Sequence, residues 1–205
     1  MIKQITKELK EHFPFTVFGA VTGIIIMILF KNVPYRISYA TFYVLHPLHV
    51  LLSSLVTASM YHIYILKCSH NKPKIWLLLV IGYVGSVGIA TLSDSIIPYL
   101  GELLLALPRS HAHIGFIEKW WLINPLAIIG IAIAYFKPFT KFSHAGHVLI
   151  STWASLFHIL MALGNTVGWF SYLIIGFFLI VSVLVPCCIS DIVFPMLFIG
   201  KCDSE

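Results

Sequence analysis

Long apolar stretches alternate along the chain with short segments that carry polar residues, proline or glycine. The apolar stretches fall at about 14–31, 46–66, 75–107, 120–136, 144–163 and 169–200. Each is near or above the roughly 20 residues that a helix needs to cross a lipid bilayer. The pattern therefore predicts an all-α polytopic membrane protein with six transmembrane helices, forming a single membrane domain over residues 1–205.

The third and sixth stretches are longer than a simple span. About 32 residues at ~1.5 Å each exceed the ~30 Å hydrocarbon layer by more than ordinary tilt explains. Each carries a proline late in its length, Pro98 and Pro195, and proline removes the hydrogen bond to the carbonyl group four residues earlier. We therefore expect helices 3 and 6 to be broken near these prolines, which frees the carbonyl groups of Asp94 and Asp191.

Two parts of the chain resemble each other. Residues 46–53 (HPLHVLLS) match residues 144–151 (HAGHVLIS) at five of eight positions, and residues 93–100 match residues 190–197 at four of eight. The interval from His49 to Asp94 is 45 residues, and that from His147 to Asp191 is 44. Because each copy holds three spans, the second enters the membrane from the opposite side. The sequence thus predicts two inverted three-helix repeats, at about 14–107 and 120–200, a common construction of secondary transporters.

The composition supports a membrane protein and excludes a water-soluble one. Apolar residues make up 59% of the chain, charged residues only 10%, and the mean hydropathy is +0.94, whereas soluble domains carry roughly a quarter charged residues. The net charge of +5 does not indicate nucleic-acid binding, because the basic residues lie between the apolar stretches. Nine Lys and Arg residues in alternate connections against four in the others predict that both termini are cytoplasmic, in the plasma (inner) membrane.

Two carboxylates fall inside predicted spans, Asp94 and Asp191. A carboxylate at the centre of a spanning helix costs about 2.5–3.5 kcal/mol on insertion scales, so its default interpretation is functional. No Lys or Arg lies within the surrounding apolar stretches, which leaves histidine as the available partner.

Each repeat places two histidines three residues apart, so both imidazoles share one face of a helix. With the aspartate, each repeat offers two nitrogens and one oxygen, a set that suits Zn²⁺, Fe²⁺, Mn²⁺, Co²⁺ or Ni²⁺ and suits Cu⁺ poorly. Pro47 is typical of the first turn of a helix, which favours two half-sites at different depths over one shared site. The predicted metal ligands are His46, His49, Asp94, His144, His147 and Asp191.

Simpler interpretations remain open for several of these residues. A histidine inside a membrane often serves as a hydrogen-bond partner between helices, and His158 and His62 are assigned that role. His111, His113, Glu102 and Glu118 are interpreted as parts of a solvated connection that could attract cations. The vicinal pair Cys187 and Cys188 is interpreted as apolar filler, since the cysteine spacing matches no disulfide framework or zinc motif.

The duplicated set favours a small transporter of a divalent transition-metal cation, coupled to protons that histidine and aspartate exchange. An intramembrane metal-dependent hydrolase acting on a lipid-like substrate is the alternative, since three ligands leave a position for water. It is disfavoured because catalysis has no need of two matching sites, and bound haem is a third and weaker hypothesis. The expected partners are the lipid bilayer, the metal ion and protons, and a homodimer is compatible with the chain.

Overall fold

Every regular element in the described part of the chain is a helix. The structure is a computed structural model and describes residues 2–29, 33–69, 73–138, 141–163, 168–188 and 193–198. Side chains are described over the same ranges except at 2–9, 11–12, 68–69, 141–145, 188 and 196. The helices in these ranges are α1 (Ile2–Leu29), α2 (Tyr35–Ser69), α3 (Ile75–Leu104), α4 (Gly115–Glu118), α5 (Trp120–Phe136), α6 (Lys141–Ala162), α7 (Trp169–Cys188) and α8 (Phe194–Leu197).

Three helices are long and apolar enough to cross a membrane. They contain the segments Tyr35–Lys67, Ile75–Leu104 and Trp169–Cys187. Three shorter apolar segments, Phe13–Leu29, Trp120–Phe136 and Gly146–Ala162, belong to α1, α5 and α6. The all-helical fold and a membrane location are therefore supported by the length and composition of these helices.

Helix α2 begins eleven residues before the apolar stretch that predicted it. The carbonyl group of Pro34 accepts hydrogen bonds from the backbone N–H groups of Ile37 and Ser38, which starts the helix at Tyr35. The first three turns contain Arg, Ser and Thr, so their hydropathy is low although their backbone is helical. Pro47 consequently lies inside α2, and His46 and His49 lie well along the helix instead of in its first turn.

Helix α3 is continuous past Pro98, whereas the sequence predicted a break there. Two wider π-helical segments, Val84–Gly88 and Leu92–Ile96, are inserted into it. In the second segment the backbone N–H of Ile97 bonds to the carbonyl group of Leu92, five residues earlier. The helix therefore accommodates the proline by widening, a distortion that is frequent at functional sites. The corresponding region before Pro195 lies largely outside the described residues.

Two apolar cores lie on either side of the contact between α2 and α6. One joins α1, α6 and α7, and the other joins α2, α3 and α5. Helices α2 and α6 pack along each other at the centre of the molecule. The fully buried members of the two cores are Ala20, Met27, Leu156, Ile159, Ile175 and Leu179 in the first, and Ala58, Tyr61, Leu78, Ile81, Ile131 and Ala134 in the second.

Candidate metal centre

The carboxylate of Asp94 lies at the centre of a buried polar group and is itself fully buried. Its Oδ2 accepts hydrogen bonds from Nδ1 of His46 at 2.9 Å and from Nδ1 of His49 at 2.7 Å. Its Oδ1 accepts from the hydroxyl groups of Ser93 and Ser151, each at 2.7 Å. Four donors around one carboxyl group fit its ionised form, which has about four lone-pair positions.

These hydrogen bonds decide what Asp94 can do. In this arrangement all four acceptor positions of the carboxylate are used by donors of the protein. These contacts hold two imidazoles in place, and the ligand role of Asp94 stays a prediction. Carboxylates commonly fix metal-binding histidines in this way.

The two imidazoles bound to Asp94 present their other nitrogen to the protein interior. Because an ionised carboxylate only accepts, Nδ1 of each ring carries the proton, and Nε2 is left as an acceptor. Nε2 of His46 and Nε2 of His49 are buried and have no hydrogen-bond partner among the described residues. Buried polar atoms are nearly always paired, so Nε2 of His49, which lies beside His147 and Cys187, is consistent with a ligand.

His49 meets a histidine of the second predicted repeat. Its ring stacks on that of His147, with the planes 9° apart and the centroids separated by 5.8 Å. Cys187, on α7, completes the group, and one ligand atom from each of the three residues lies within 4.8 Å of the others. All three are buried. We call His46, His49, Asp94, His147 and Cys187 the buried centre.

The spacing of the three ligand atoms is close to what a metal needs. Bonds of about 2.0–2.1 Å to nitrogen and about 2.3 Å to sulfur place tetrahedral ligand atoms roughly 3.3–3.8 Å apart. Small rotations of the side chains would close the remaining distance. Two imidazoles and a thiolate form a three-ligand set that leaves a fourth position for another group.

The position of Asp94 depends on the π-helical segment of α3. In its i to i+5 register, Pro98 faces the carbonyl group of Ser93 instead of that of Asp94. The hydroxyl group of Ser155 lies 2.9 Å from the carbonyl oxygen of Ser93 and 2.9 Å from that of Ser151, and its one proton is shared between these two acceptors. A side chain of α6 thereby satisfies the carbonyl group that the proline leaves open, and it fixes α3 against α6 beside the carboxylate.

His46 lies at the edge of the buried centre, between an aromatic ring and a glycine. Its imidazole is stacked on Phe42, with the planes 7° apart and the centroids 5.2 Å apart. A Cβ atom built on Gly115 would lie 2.5 Å from Nε2 of His46 and 2.6 Å from Cδ1 of Ile123. Only glycine fits here, so the connection between α3 and α5 closes directly over the His46 ring.

A second buried pair lies on the other side of Phe42. Nδ1 of His158 and Oε1 of Glu102 are 2.7 Å apart, and both side chains are about 1% exposed or less. The ring of Phe42 contacts that of His158 edge-on, at 5.4 Å. The interhelical hydrogen bond expected for His158 is therefore present, and an aromatic ring separates it from the buried centre.

The connection between α3 and α5 contains a further group of polar side chains. His111, His113 and Glu118 each offer one ligand atom within 4.8 Å of the others, and we call them the loop cluster. Nδ1 of His113 lies 3.2 Å from Oε2 of Glu118, which also accepts a hydrogen bond from the Tyr43 hydroxyl group. These contacts show an ordered cluster where the sequence predicted a solvated connection.

Burial and hydrogen bonding shift the pKa values of two of these groups. Burial lowers the pKa of His113, and this effect outweighs the hydrogen bond to Glu118. Burial alone would raise the pKa of Glu118, but the hydrogen bonds from Tyr43 and His113 together with the charges of nearby histidines lower it on balance. Both shifts favour the neutral imidazole and the ionised carboxylate.

The structure brings together four of the six predicted ligands. His46, His49 and Asp94 form one hydrogen-bonded group, and His147 stacks on His49. The side chain of His144 and the whole of Asp191 lie outside the described residues. Metal binding by any of the six therefore stays a prediction.

Sequence reasoning missed Cys187. The available signal is its position four residues, or about one helical turn, before Asp191. At the matching position before Asp94 the first repeat has Ala90, so a search for duplicated ligands passes over the cysteine.

Comparisons of the chain with models of protein families, with curated proteins and with solved structures give no match. The candidate site therefore has to be interpreted from its own geometry and chemistry.

Proposed function

We propose that this protein transports a divalent transition-metal cation across a membrane and couples that movement to protons. The observation that carries the proposal is the meeting of His49 and His147 with Cys187 at the contact between α2 and α6. The two histidines occupy equivalent positions in the two similar halves of the sequence. A site at the interface of two repeats is typical of transporters that work by alternating access.

The proposed architecture is a bundle of six spans in two inverted repeats, with both termini in the cytoplasm. The two apolar cores support it, because α1, α6 and α7 in one correspond to α5, α2 and α3 in the other. The apolar segments of α1, α5 and α6 are near the lower limit of about 17 residues for a spanning helix.

Close helix contacts also support the repeat. A Cβ atom on Gly130 of α5 would meet the Ser54 hydroxyl oxygen at 2.0 Å, and one on Gly19 of α1 would meet Cβ of Thr152 at 2.9 Å. Ser54 and Thr152 each follow the central histidine of their repeat by five residues. In each case a glycine on the first helix of one repeat packs against the same position on the second helix of the other repeat.

The ligand set favours a particular range of metals. Imidazole nitrogen and thiolate suit Zn²⁺, Co²⁺, Ni²⁺ and Fe²⁺, whereas Mn²⁺ prefers oxygen. The ionised carboxylate of Asp94 and a Cys187 thiolate together carry two negative charges, which one divalent cation neutralises. A buried group of this kind is costly in lipid unless its charge is compensated.

Proton coupling follows from the same charge balance. A thiol must lose its proton before it binds a metal, and an imidazole must be neutral. In the absence of metal, protons on Cys187 and on one imidazole would compensate the same charge. Entry of one divalent cation would therefore release roughly two protons, and rocking of the two halves would exchange them across the membrane.

Transport into sealed vesicles tests this function. Purified protein in proteoliposomes should take up Zn²⁺ or Co²⁺, with an accompanying change in internal pH reported by an enclosed dye. Cys187→Ser should slow uptake at least about tenfold, since even partners behind the ligands contribute about 10- to 100-fold to metal affinity. Cys188→Ser makes the same substitution at the next residue and serves as the control.

Two results would contradict the proposal. Equal loss of uptake in Cys187→Ser and Cys188→Ser would show that the buried centre is not specifically involved. Stoichiometric binding of metal by the wild-type protein without any uptake would instead favour the alternative, a membrane metalloenzyme.

A further inference from the structure

The loop cluster has ligand chemistry that the buried centre does not use. His111, His113 and Glu118 supply two imidazoles and a carboxylate, with one ligand atom of each within 4.8 Å of the others. Two histidines and one carboxylate form an established ligand set for divalent transition metals. Tetrahedral bonds of about 2.0–2.2 Å would place these atoms roughly 3.3–3.6 Å apart, so only small side-chain movements are required.

Hydrogen bonds to two neighbouring helices fix the connection that carries the loop cluster. The backbone N–H of His113 donates to Nε2 of His158 at 3.3 Å, and that of Arg109 donates to the carbonyl oxygen of Ala162 at 3.4 Å. These bonds attach the connection to α6, and the hydrogen bond from Tyr43 to Glu118 attaches it to α2. Ligands that are fixed by surrounding contacts lose less entropy when they bind an ion.

The two sites differ in their access to water. His113 is buried, whereas His111 is exposed and the Glu118 side chain is 29% exposed. The buried centre, in contrast, has no exposed member. A cation arriving from solution can therefore reach the loop cluster without any opening of the helix bundle.

The same connection also covers the buried centre. Gly115 is two residues after His113, and its Cα lies so close to the His46 ring that an added Cβ would overlap Nε2. An ion held at the loop cluster is thus held on the segment that packs directly against the His46 ring of the buried centre.

We propose that His111, His113 and Glu118 form a second metal site, which captures a divalent transition-metal cation from solution before it enters the buried centre. The passage to the buried centre rests on the proposed transport function, whereas binding at the loop cluster does not. The thiolate of Cys187 and the full burial of its neighbours make the buried centre bind more tightly than the loop cluster, so the ion moves from the loop cluster to the buried centre.

Cobalt binding separates the two sites, because only the buried centre contains a thiolate. Co²⁺ bound to Cys187 gives an intense sulfur-to-metal charge-transfer absorption in the near ultraviolet, whereas Co²⁺ on nitrogen and oxygen gives only weak visible bands. Full-length protein in detergent is titrated with Co²⁺, and the metal bound at each step is measured by elemental analysis. The wild-type protein should bind two equivalents, of which one gives the charge-transfer absorption.

The variant His111→Ala should weaken the equivalent without charge transfer by roughly 100-fold or more, since loss of a supporting partner alone costs about 10- to 100-fold. It should leave the other equivalent unchanged. Ile117→Ala, at an exposed residue of the same connection, is the matched control and should bind two equivalents with unchanged affinities. Glu118→Gln provides a second variant in case His111→Ala is poorly recovered, and it should have the same effect.

The possible outcomes distinguish this site from the buried centre. A single equivalent that gives charge transfer and is unaffected by His111→Ala would overturn the second site and leave the transport proposal intact. A single equivalent without charge transfer that is lost in His111→Ala would support the second site and count against the buried centre. Equal weakening by His111→Ala and Ile117→Ala would overturn the assignment of the ligands.

Discussion

The buried centre and the loop cluster use similar side chains in opposite surroundings. In the buried centre Asp94 accepts four hydrogen bonds and has no exposed surface. In the loop cluster, Glu118 accepts hydrogen bonds from Tyr43 and His113 and remains partly exposed to water. The comparison contrasts a carboxylate whose acceptor positions are all used inside the protein with one that water can still reach.

Replacing each carboxylate by an amide should give the largest difference in the free energy of unfolding between the buried centre and the loop cluster. Asp94→Asn directs an amide N–H₂ group at donors that need an acceptor, so we expect a loss of about 3–5 kcal/mol in the free energy of unfolding. Glu118→Gln, the matched substitution at the partly exposed site, should cost less than about 1 kcal/mol. Unfolding by denaturing detergent in mixed micelles measures both. Similar decreases in the free energy of unfolding would show that burial does not make Asp94 more important for stability than Glu118.

Adding one methyl group at Gly115 tests the contact between the connection and the His46 ring of the buried centre. Gly115→Ala places a Cβ 2.5 Å from the His46 ring, and overpacking of this kind costs about 1–3 kcal/mol. At Gly88 a Cβ would meet nothing within 4 Å, so Gly88→Ala should be neutral or stabilising by up to about 1 kcal/mol. The same unfolding measurement applies. A neutral Gly115→Ala would mean that the connection does not rest on His46.

Removing a hydroxyl group should have a smaller effect. Ser155→Ala removes the donor to the Ser93 carbonyl group beside the buried centre, and leaving that group without a partner should cost about 1–2 kcal/mol. Ser110 makes a comparable bond to the carbonyl oxygen of Leu107 at 2.9 Å in the connection. There water can replace the hydroxyl group, so Ser110→Ala should cost about 0.5 kcal/mol or less. Thermal unfolding midpoints of the two variants should therefore rank in that order, and the reverse order would contradict the role assigned to Ser155.

The smallest effect on stability is expected at His111. Its side chain is exposed, so His111→Ala should change the free energy of unfolding in the absence of metal by no more than about 0.5 kcal/mol. A larger decrease in the free energy of unfolding, measured in metal-free buffer, would indicate that His111 stabilises the fold of the connection and is not reserved for binding an ion.

Local spacing predicted the central contact of the buried centre. Two histidines three residues apart share one face of a helix, and both His46 and His49 bond to the same oxygen of Asp94. The partner was predictable because Asp94 lies inside an apolar stretch, where a carboxylate is costly without a partner. The start of α2 at Tyr35 was not predictable from hydropathy. The helix begins after Pro34 with a polar segment, and a hydropathy profile detects neither feature.

The sequence could not predict which atoms of the buried centre donate or accept hydrogen bonds. The spacing indicated that imidazoles and a carboxylate would meet, but not that the carboxylate would use both oxygens on hydrogen bonds. One of those hydrogen bonds comes from the hydroxyl group of Ser151, in the other half of the chain. Which lone pairs remain depends on every neighbour at once, and some of those neighbours are about 50 to 60 residues away.

The amino-acid sequence by itself determined an all-helical chain with stretches long and apolar enough to span a membrane, and it selected His46, His49, His147 and Asp94, which are buried. It could do so because hydropathy over about 20 residues and helical periodicity over one or two turns are both read from contiguous sequence. Tertiary structure alone decided that His147 stacks on His49, that Cys187 joins them, and that Gly115 covers His46. The spacing along a helix fixes which residues share a face, whereas packing decides which neighbouring helix that face meets.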